Sequence, residues 1–112
     1  MKTVAYAALA FLVSTGVFAQ QPKSGTEKGF LAALEPLAKR GDTTAQVILA
    51  KAYLTGDNVS KDPSKACTWF RQAAEKGDSE AAFILGLLTM DGLGVEKDLS
   101  EALKWFRKAA DQ

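Results

Sequence analysis

The sequence predicts an all-α solenoid of about two and a half stacked helical hairpins. Three observations predict it: an internal repeat, apolar residues at helical spacing, and capping residues at the same place in each copy. Residues 41–76 align with residues 77–112 without a gap, and 16 of the 36 aligned positions are identical. A repeat of this length is typical of helical units that bury their apolar faces by stacking on one another.

The first half of each unit predicts a helix, helix A, over Thr43 to Thr55 and over Ser79 to Asp91. Asp42 and Asp78 precede these helices at the N-cap position, where an aspartate oxygen accepts a backbone N–H. The apolar residues recur three and four positions apart, which places them on one helical face. They are Ala45, Ile48, Leu49 and Ala52 in the first unit, and Ala81, Ile84, Leu85 and Leu88 in the second.

The second half of each unit predicts helix B, over Pro63 to Lys76 and over Leu99 to Asp111. Asp62 caps the first copy, whose proline occupies the first helical position and loses no hydrogen bond there. Asp98 and Glu101 have the spacing of a capping box in the second copy. The apolar stripe of the first copy consists of Ala66, Trp69, Phe70, Ala73 and Ala74.

The loop between helices A and B carries Asn58 in the first unit where the second has Gly94. Glycine and asparagine are the residues that most readily adopt a left-handed backbone. We therefore expect a positive φ at both positions. Gly77, directly after helix B, is expected to end that helix in the same conformation.

Trp69 and Trp105 recur in register on the apolar face of helix B. We therefore interpret both as core residues and not as a platform for stacking a ligand. Cys67 aligns with Leu103, which predicts a small buried hydrophobic residue. No activating partner for a reactive thiol is evident near it in the sequence.

Residues 1–19 have the pattern of a secretory signal peptide. Lys2 precedes an apolar stretch over residues 4–13 that is too short to span a bilayer, and small or apolar residues at 17–19 predict cleavage after Ala19. A short buried helix or an uncleaved anchor is the alternative. We expect a periplasmic or secreted protein with no membrane span after processing.

The segment after the cleavage site is predicted to be polar and flexible over residues 20–28. Residues 29–40 then align with helix B as a half repeat, which completes a repeat domain over residues 29–112. Pro36 lies inside this helix and is expected to kink or restart it.

The composition excludes most catalytic chemistry. The chain has no histidine, which removes histidine-based nucleophilic catalysis and every histidine-containing zinc site. Its one cysteine cannot form an internal disulfide or a cysteine cluster. Loss of Lys2 with the leader lowers the formal charge from +1 to zero, so no basic patch for nucleic acid is expected. We predict no catalytic, cofactor-binding or metal-binding residues and no cofactor.

The two units resemble the pattern of the Sel-one-like repeat (SLR) family, a branch of the tetratricopeptide-like (TPR-like) solenoids. The second unit matches at Ala81, Leu85, Gly86, Gly92, Gly94, Val95, Asp98, Ala102, Trp105, Phe106, Lys108, Ala109 and Ala110, and departs at Thr89. The first matches at Ala45, Leu49, Tyr53, Gly56, Val59, Asp62, Ala66, Trp69, Phe70, Ala73, Ala74 and Gly77, and departs at Ala50, Asn58 and Gln72. The resemblance covers about residues 29–112 and implies a right-handed α-α solenoid.

The resemblance further implies a non-catalytic module for protein–protein interaction, an adaptor or scaffold exported to the periplasm or beyond. An alternative is a periplasmic immunity or inhibitor protein that neutralises a secreted toxin or effector enzyme. A remote alternative is a hydrolase acting on the cell wall, which would need two converging carboxylates.

Two surfaces are candidates for binding a protein partner. The A helices of such solenoids line the concave face, where a second row of side chains would bind a partner or pack on a neighbouring helix B. That row consists of Val47, Lys51, Leu54, Phe83, Leu87 and Met90. No predicted helix A follows the last helix B, so Trp105, Phe106 and Ala109 are expected to be partly uncovered. A partner would complete the stack there, two copies would meet end to end, or the end stays bare.

Overall fold

The computed structural model describes residues 26–112, with side chains described from residue 29. Each of its helices packs against the next one along the chain, in the order expected for a solenoid. The helices are α1 (Thr26–Lys39), α2 (Thr43–Thr55), α3 (Pro63–Glu75), α4 (Ser79–Asp91) and α5 (Leu99–Asp111). The all-α solenoid prediction is thereby confirmed: α2 and α3 form the first hairpin, α4 and α5 form the second, and α1 precedes them.

The helices begin and end close to the residues at which the sequence predicted their ends. Helices α2, α4 and α5 have the predicted bounds, and α3 ends at Glu75, one residue before the predicted end. All four predicted aspartate caps are present, and each accepts the backbone N–H three residues on at 2.8–3.1 Å. A cap of this kind contributes about 1 kcal/mol to stability.

The N-terminal helix differs from expectation. Helix α1 continues through Pro36 as one helix, so the predicted restart at this proline is wrong. The helix begins at Thr26, inside the segment 20–28 that was expected to be flexible. The rest of that segment and the predicted signal peptide lie outside the described residues.

The interior consists of two clusters of small and medium-sized side chains. One lies between α1 and α2, and the other joins α2, α3 and α4 around Phe70, which is fully buried. Trp69 contacts both clusters and Trp105 packs on the second, although each indole keeps part of its surface exposed. Between α1 and α2 the buried Gln46 amide Nε2 donates to the carbonyl of Ala38 at 2.9 Å.

Glu101 ties the two hairpins together instead of completing a capping box. Its Oε2 accepts hydrogen bonds from Arg71 Nη1 at 3.0 Å and from Trp105 Nε1 at 3.2 Å. The backbone N–H of Asp98, which a capping box would bond to Glu101, donates to the carbonyl of Thr89. The capping box is therefore only half formed, because Arg71 of the preceding hairpin attracts the carboxylate more strongly than a backbone N–H does.

Asn58 and Gly94 both have the predicted left-handed backbone, with φ of 66° and 80°. Gly94 carries a further constraint that Asn58 does not show. A Cβ at position 94 would lie 2.5 Å from the carbonyl carbon and oxygen of Pro63, at the start of α3. The loop of the second hairpin therefore packs directly on the first, and this contact admits only glycine.

This packing predicts unequal effects for reciprocal substitutions at the two loop positions. Gly94→Asn should lower the free energy of unfolding by about 1–3 kcal/mol, because the new Cβ displaces the Pro63 backbone. Asn58→Gly should change it by less than about 1 kcal/mol, since glycine adopts the same φ. Urea unfolding followed by circular dichroism measures both, and equal small effects would contradict the proposed contact.

The hydrogen bonds from Arg71 and Trp105 lower the pKa of Glu101. A lowered pKa in the folded state stabilises the fold above the pKa of the unfolded chain, and this stabilisation disappears as the pH falls through the folded-state pKa. The neighbouring Asp98 carboxylate opposes the effect. The pair is about a third exposed, so its contribution is that of a surface ion pair, about 0.2–1 kcal/mol.

Glu101→Gln should therefore destabilise the protein by up to about 1 kcal/mol at pH 7. The difference from the wild type should shrink as the pH falls below the ordinary glutamate pKa of about 4.3 and through the lowered pKa of Glu101, where the wild-type carboxylate also becomes neutral. Glu96→Gln, at an exposed loop position, is the control and should shift stability by less than about 0.5 kcal/mol. A Glu101→Gln difference that is equally large at pH 7 and pH 3 would argue against the Arg71 pair.

Candidate partner-binding surfaces

The predicted row on the A helices is not a continuous exposed surface. Val47 is buried in the core at 7% exposure and cannot contact a partner, which corrects its assignment to the binding row. Leu54, Leu87 and Met90 are half-buried. Lys51 is exposed and forms a 2.8 Å ion pair with Glu80, and Phe83 is 50% exposed.

The contrast between Val47 and Phe83 arises from their surroundings. The two residues occupy the same position in successive units. Val47 packs in one cluster with Ala81, Ala82 and Leu85 of α4, which covers it. Within residues 26–112, no helix covers Phe83 in the same way, so a side chain that is core in the first unit becomes surface in the second.

Phe83 lies beside the second candidate surface, the end that was predicted from Trp105, Phe106 and Ala109. Its ring contacts the ring of Phe106, with centroids 5.7 Å apart and planes tilted by 50°. The two rings border a shallow groove of about 540 Å³ at the outer side of α4 and α5. This end groove is lined by Ser79, Glu80, Phe83, Phe106, Ala109 and Ala110.

The residues predicted at this end have intermediate exposure. Trp105, Phe106 and Ala109 are all half-buried, whereas Phe70 and Ala73, which correspond to the last two, are fully buried. The structure thus brings Phe83 of the predicted A-helix row and Phe106 and Ala109 of the predicted end together in one groove. Their role in binding stays a prediction.

Three apolar residues of α5 were missed by the sequence analysis. Leu99 and Leu103 are 59% and 54% exposed, and Ala110 is exposed beside the groove. The signal was present in the alignment, because Leu103 corresponds to the buried Cys67. Cys67 Sγ donates to the carbonyl of Leu93 in the next hairpin at 3.4 Å, and no described residue takes the place of Leu93 beside Leu103.

Trp105 is held by polar neighbours and does not offer a free ring. Its Nε1 donates to Glu101, and the cationic groups of Arg71 and Lys108 lie 5.7 and 5.9 Å from its ring centroid. Cation–π contacts of this kind fix the indole at the surface. Trp105 therefore forms the polar border of the exposed end, and Phe106 forms its apolar floor.

The pKa shifts of Cys67 and Glu101 do not favour reactivity of either group. Burial raises the pKa of the Cys67 thiol, with a smaller opposing effect of Arg71, so the thiol stays protonated and weakly nucleophilic. Glu101 has a lowered pKa, the opposite of what a general acid needs. Among residues 26–112, no three acidic or cysteine side chains are grouped so as to hold a metal ion. None of the five described helices has the length and apolarity to cross a bilayer.

Comparison with known proteins identifies the repeat. The family model described as "Sel1 repeat" matches residues 43–78 and 79–112. These units begin two residues after the units defined by the internal alignment, so the phase of the repeat differs slightly while its length agrees. The comparison with curated protein sequences gave no match.

Two solved structures show the same architecture. A Sel1 repeat protein from Oxalobacter formigenes superposes with a TM-score of 0.73 at 34% identity, over 75% of this chain and 35% of that one. A protective antigen present in uropathogenic Escherichia coli strains, which displays an SLR fold, superposes with a TM-score of 0.67 at 41% identity. That match covers 71% of this chain and 17% of the antigen.

The present chain thus spans about a third or less of the length of these neighbours. The family model nevertheless covers more than half of it, in two successive units that coincide with the two helical hairpins. Repeat domains of this type are typically non-catalytic. The chain therefore belongs to the Sel1 repeat family, a family of protein-interaction scaffolds.

Proposed function

We propose that this chain is an exported, non-catalytic module that binds a partner protein at the end groove. The observation that carries the proposal is the exposed apolar surface around Phe83 and Phe106, which Leu103 extends along α5. Large apolar side chains are normally buried, and a group of them at one end of a small domain is typical of an interaction site.

The composition of the groove supports protein binding over other ligands. Two aromatic rings and two alanines line it together with the polar Ser79 and Glu80. An aromatic centre with a polar border is the usual arrangement of residues that dominate the binding energy of protein interfaces. The groove is shallow and open along the helices, a shape that suits an extended secondary-structure element better than a small molecule.

The proposal predicts that one charge at the groove abolishes partner capture. Phe83→Glu should reduce retention of the partner from a periplasmic extract by at least about tenfold, because binding would bury an unpaired carboxylate. Phe30→Glu is the matched control, since Phe30 is 55% exposed on α1 at the other end of the array and should leave capture unchanged.

The companion variant Phe83→Glu/Leu87→Glu extends the test along α4. Circular dichroism of each variant shows whether the helices are retained, since Leu87 is half-buried. A partner captured equally by the wild type and by Phe83→Glu would show that binding occurs elsewhere.

Export is the second part of the proposal and rests on the sequence of residues 1–19. The mature protein purified from the periplasm should begin at Gln20, as read by N-terminal sequencing. Ala19→Lys should block processing, because the cleavage site accepts small residues immediately before the cut. Recovery of the wild-type chain with an intact Met1 would exclude cleavage.

A further inference from the structure

A second groove lies at the boundary between α1 and the hairpin formed by α2 and α3, and we call it the boundary groove. It has a volume of about 550 Å³ and is bordered by α1, by α2, by the loop that follows α2 and by the first turn of α3. It therefore lies between elements of the array, away from the end groove. Its lining includes the apolar Leu31 and Leu49 and the polar or charged Glu35, Tyr53, Asp62 and Lys65.

The boundary groove carries charges of the opposite sign to those at the next boundary of the array. Glu35 occupies the position of Arg71 in the repeat, and Lys65 occupies the position of Glu101. Arg71 Nη1 and Glu101 Oε2 lie 3.0 Å apart and join α3 to α5. Glu35 and Lys65, both within the described region, form no such ion pair. The first boundary thus has the two charges of an inter-unit pair without the bond between them.

Lys65 contacts an aromatic ring in place of the carboxylate. Its Nζ lies 5.1 Å from the ring centroid of Tyr53, a distance typical of a cation–π contact. The second unit has Thr89 at the position of Tyr53 and offers no ring there. Glu35 is half-buried and has no ion-pair or hydrogen-bond partner among residues 29–112. A carboxylate that is partly withdrawn from water without a partner attracts a cation.

The charge of the groove favours a ligand with a single positive charge. Two carboxylates, those of Glu35 and Asp62, and the ammonium of Lys65 give the lining a formal charge of −1. The Oδ1 atom of Asp62 accepts the backbone N–H of Lys65 as a helix cap, and a carboxylate can accept further hydrogen bonds at its second oxygen. An organic cation that binds both carboxylates would neutralise the lining.

The next boundary shows which cation suits a carboxylate at this place. There the carboxylate of Glu101 accepts a hydrogen bond from the guanidinium of Arg71. The planar set of donors of a guanidinium matches a carboxylate better than an ammonium does. The aliphatic stem of an arginine packs on apolar surface. Leu31 and Leu49, both buried, supply such a surface in the lining of the boundary groove.

We propose that the boundary groove binds an arginine side chain of a partner protein. The guanidinium donates to the carboxylate of Glu35, and the carboxylate of Asp62 adds a second negative charge. The aliphatic stem packs on Leu31 and Leu49. The ligand thus supplies the guanidinium that Arg71 supplies at the next boundary. This proposal does not depend on the end groove, because the two grooves share no lining residue.

The probe is N-acetyl-arginine amide, whose capped termini leave the guanidinium as its one charge. N-acetyl-citrulline amide has nearly the same shape without the charge and is the matched control. Titration of the arginine compound into the isotope-labelled full chain should give saturable NMR shift changes at the backbone amides of Glu35 and Tyr53. The citrulline compound should bind at least about tenfold more weakly, because it offers the carboxylates no counter-charge.

Substitution of the carboxylate locates the site. Glu35→Gln should weaken binding of the arginine probe at least about tenfold, because the amide keeps the shape of the side chain but loses its charge. Glu75→Gln removes an exposed carboxylate of α3 outside the groove and should bind the probe like the wild type. Both variants should unfold at the wild-type temperature, since neither carboxylate has a partner among residues 29–112.

The double variant Glu35→Arg/Lys65→Glu tests whether the open charge pair is the cause of binding. It keeps the net charge of the protein and gives the first boundary the charge order of the second. The two new side chains should pair with each other as Arg71 pairs with Glu101. Binding of the arginine probe should therefore weaken at least about tenfold. Binding at wild-type strength would show that the probe responds only to the general charge of the region and would overturn the inference.

Lys65→Gln separates the proposed cationic ligand from an anionic one. Loss of the ammonium should leave binding of the arginine probe as tight as in the wild type or tighter, because it removes a like charge from the groove. Weaker binding in this variant would show that Lys65 itself holds the ligand, which would contradict the assignment of the guanidinium to Glu35.

Two further outcomes would overturn the inference: shift changes that rise linearly without saturation, and equal binding of the arginine and citrulline compounds. The two proposals fail separately. If the probe binds at Glu35 and Phe83→Glu leaves partner capture unchanged, the boundary groove stands and the end groove does not. If the probe does not bind and Phe83→Glu abolishes capture, the proposed function stands and the arginine site does not.

Discussion

The stacking of an alanine-bearing helix on the face of the preceding helix B is the interaction on which the rest of the structure depends. Neither a single helix nor a single hairpin of this chain encloses a core of its own. The largest fully buried side chain, Phe70, packs in a cluster that joins α2, α3 and α4 and includes Ala81 and Leu85 of the following unit. Stability therefore arises between units, as expected for a quasi-one-dimensional array.

The packing of one unit on the next also explains the roles of individual loop and surface residues. Gly94 lets the second hairpin rest on the backbone of Pro63, and the Cys67 thiol meets the Leu93 carbonyl beside it. The Arg71–Glu101 pair crosses the same boundary on the polar side. Each of these contacts joins the B helix of the first unit to the second hairpin. The two units are thus held together by backbone packing, by a buried thiol and by a surface ion pair.

Features set by neighbouring residues were predictable from the sequence, and features set by distant ones were not. The aspartate caps and the left-handed backbone at Asn58 depend on a few adjacent residues, and the structure has them where expected. Glu101 matched a capping box locally, yet Arg71, thirty positions away, determines where its carboxylate points. Pro36 predicted a kink or a restart, and the helix continues through it without a restart.

The candidate site shows the same limit. Val47 and Phe83 are equivalent by periodicity, but within residues 26–112 helix α4 covers Val47 and no helix covers Phe83 in the same way. The periodic pattern identifies which side chains face a neighbour, but it does not show whether that neighbour exists. Phe106 and Ala109 were predicted from the apolar stripe of helix B, and Leu103 could have been found from its alignment with Cys67. The exposure of Leu99 became evident only from the structure.

The alignment of the two hairpins without a gap has a consequence for how such a gene can change. Each contact between a helix B and the following helix A uses the same positions. A recombination that removes or adds 108 nucleotides, one repeat of 36 residues, would therefore join a helix B to an equivalent helix A. Loss of residues 43–78, for example, would place α4 directly after α1. Gln46, whose amide binds the Ala38 carbonyl, would be replaced there by Ala82. The number of repeats can thus vary between descendants while the packing between successive units is inherited unchanged.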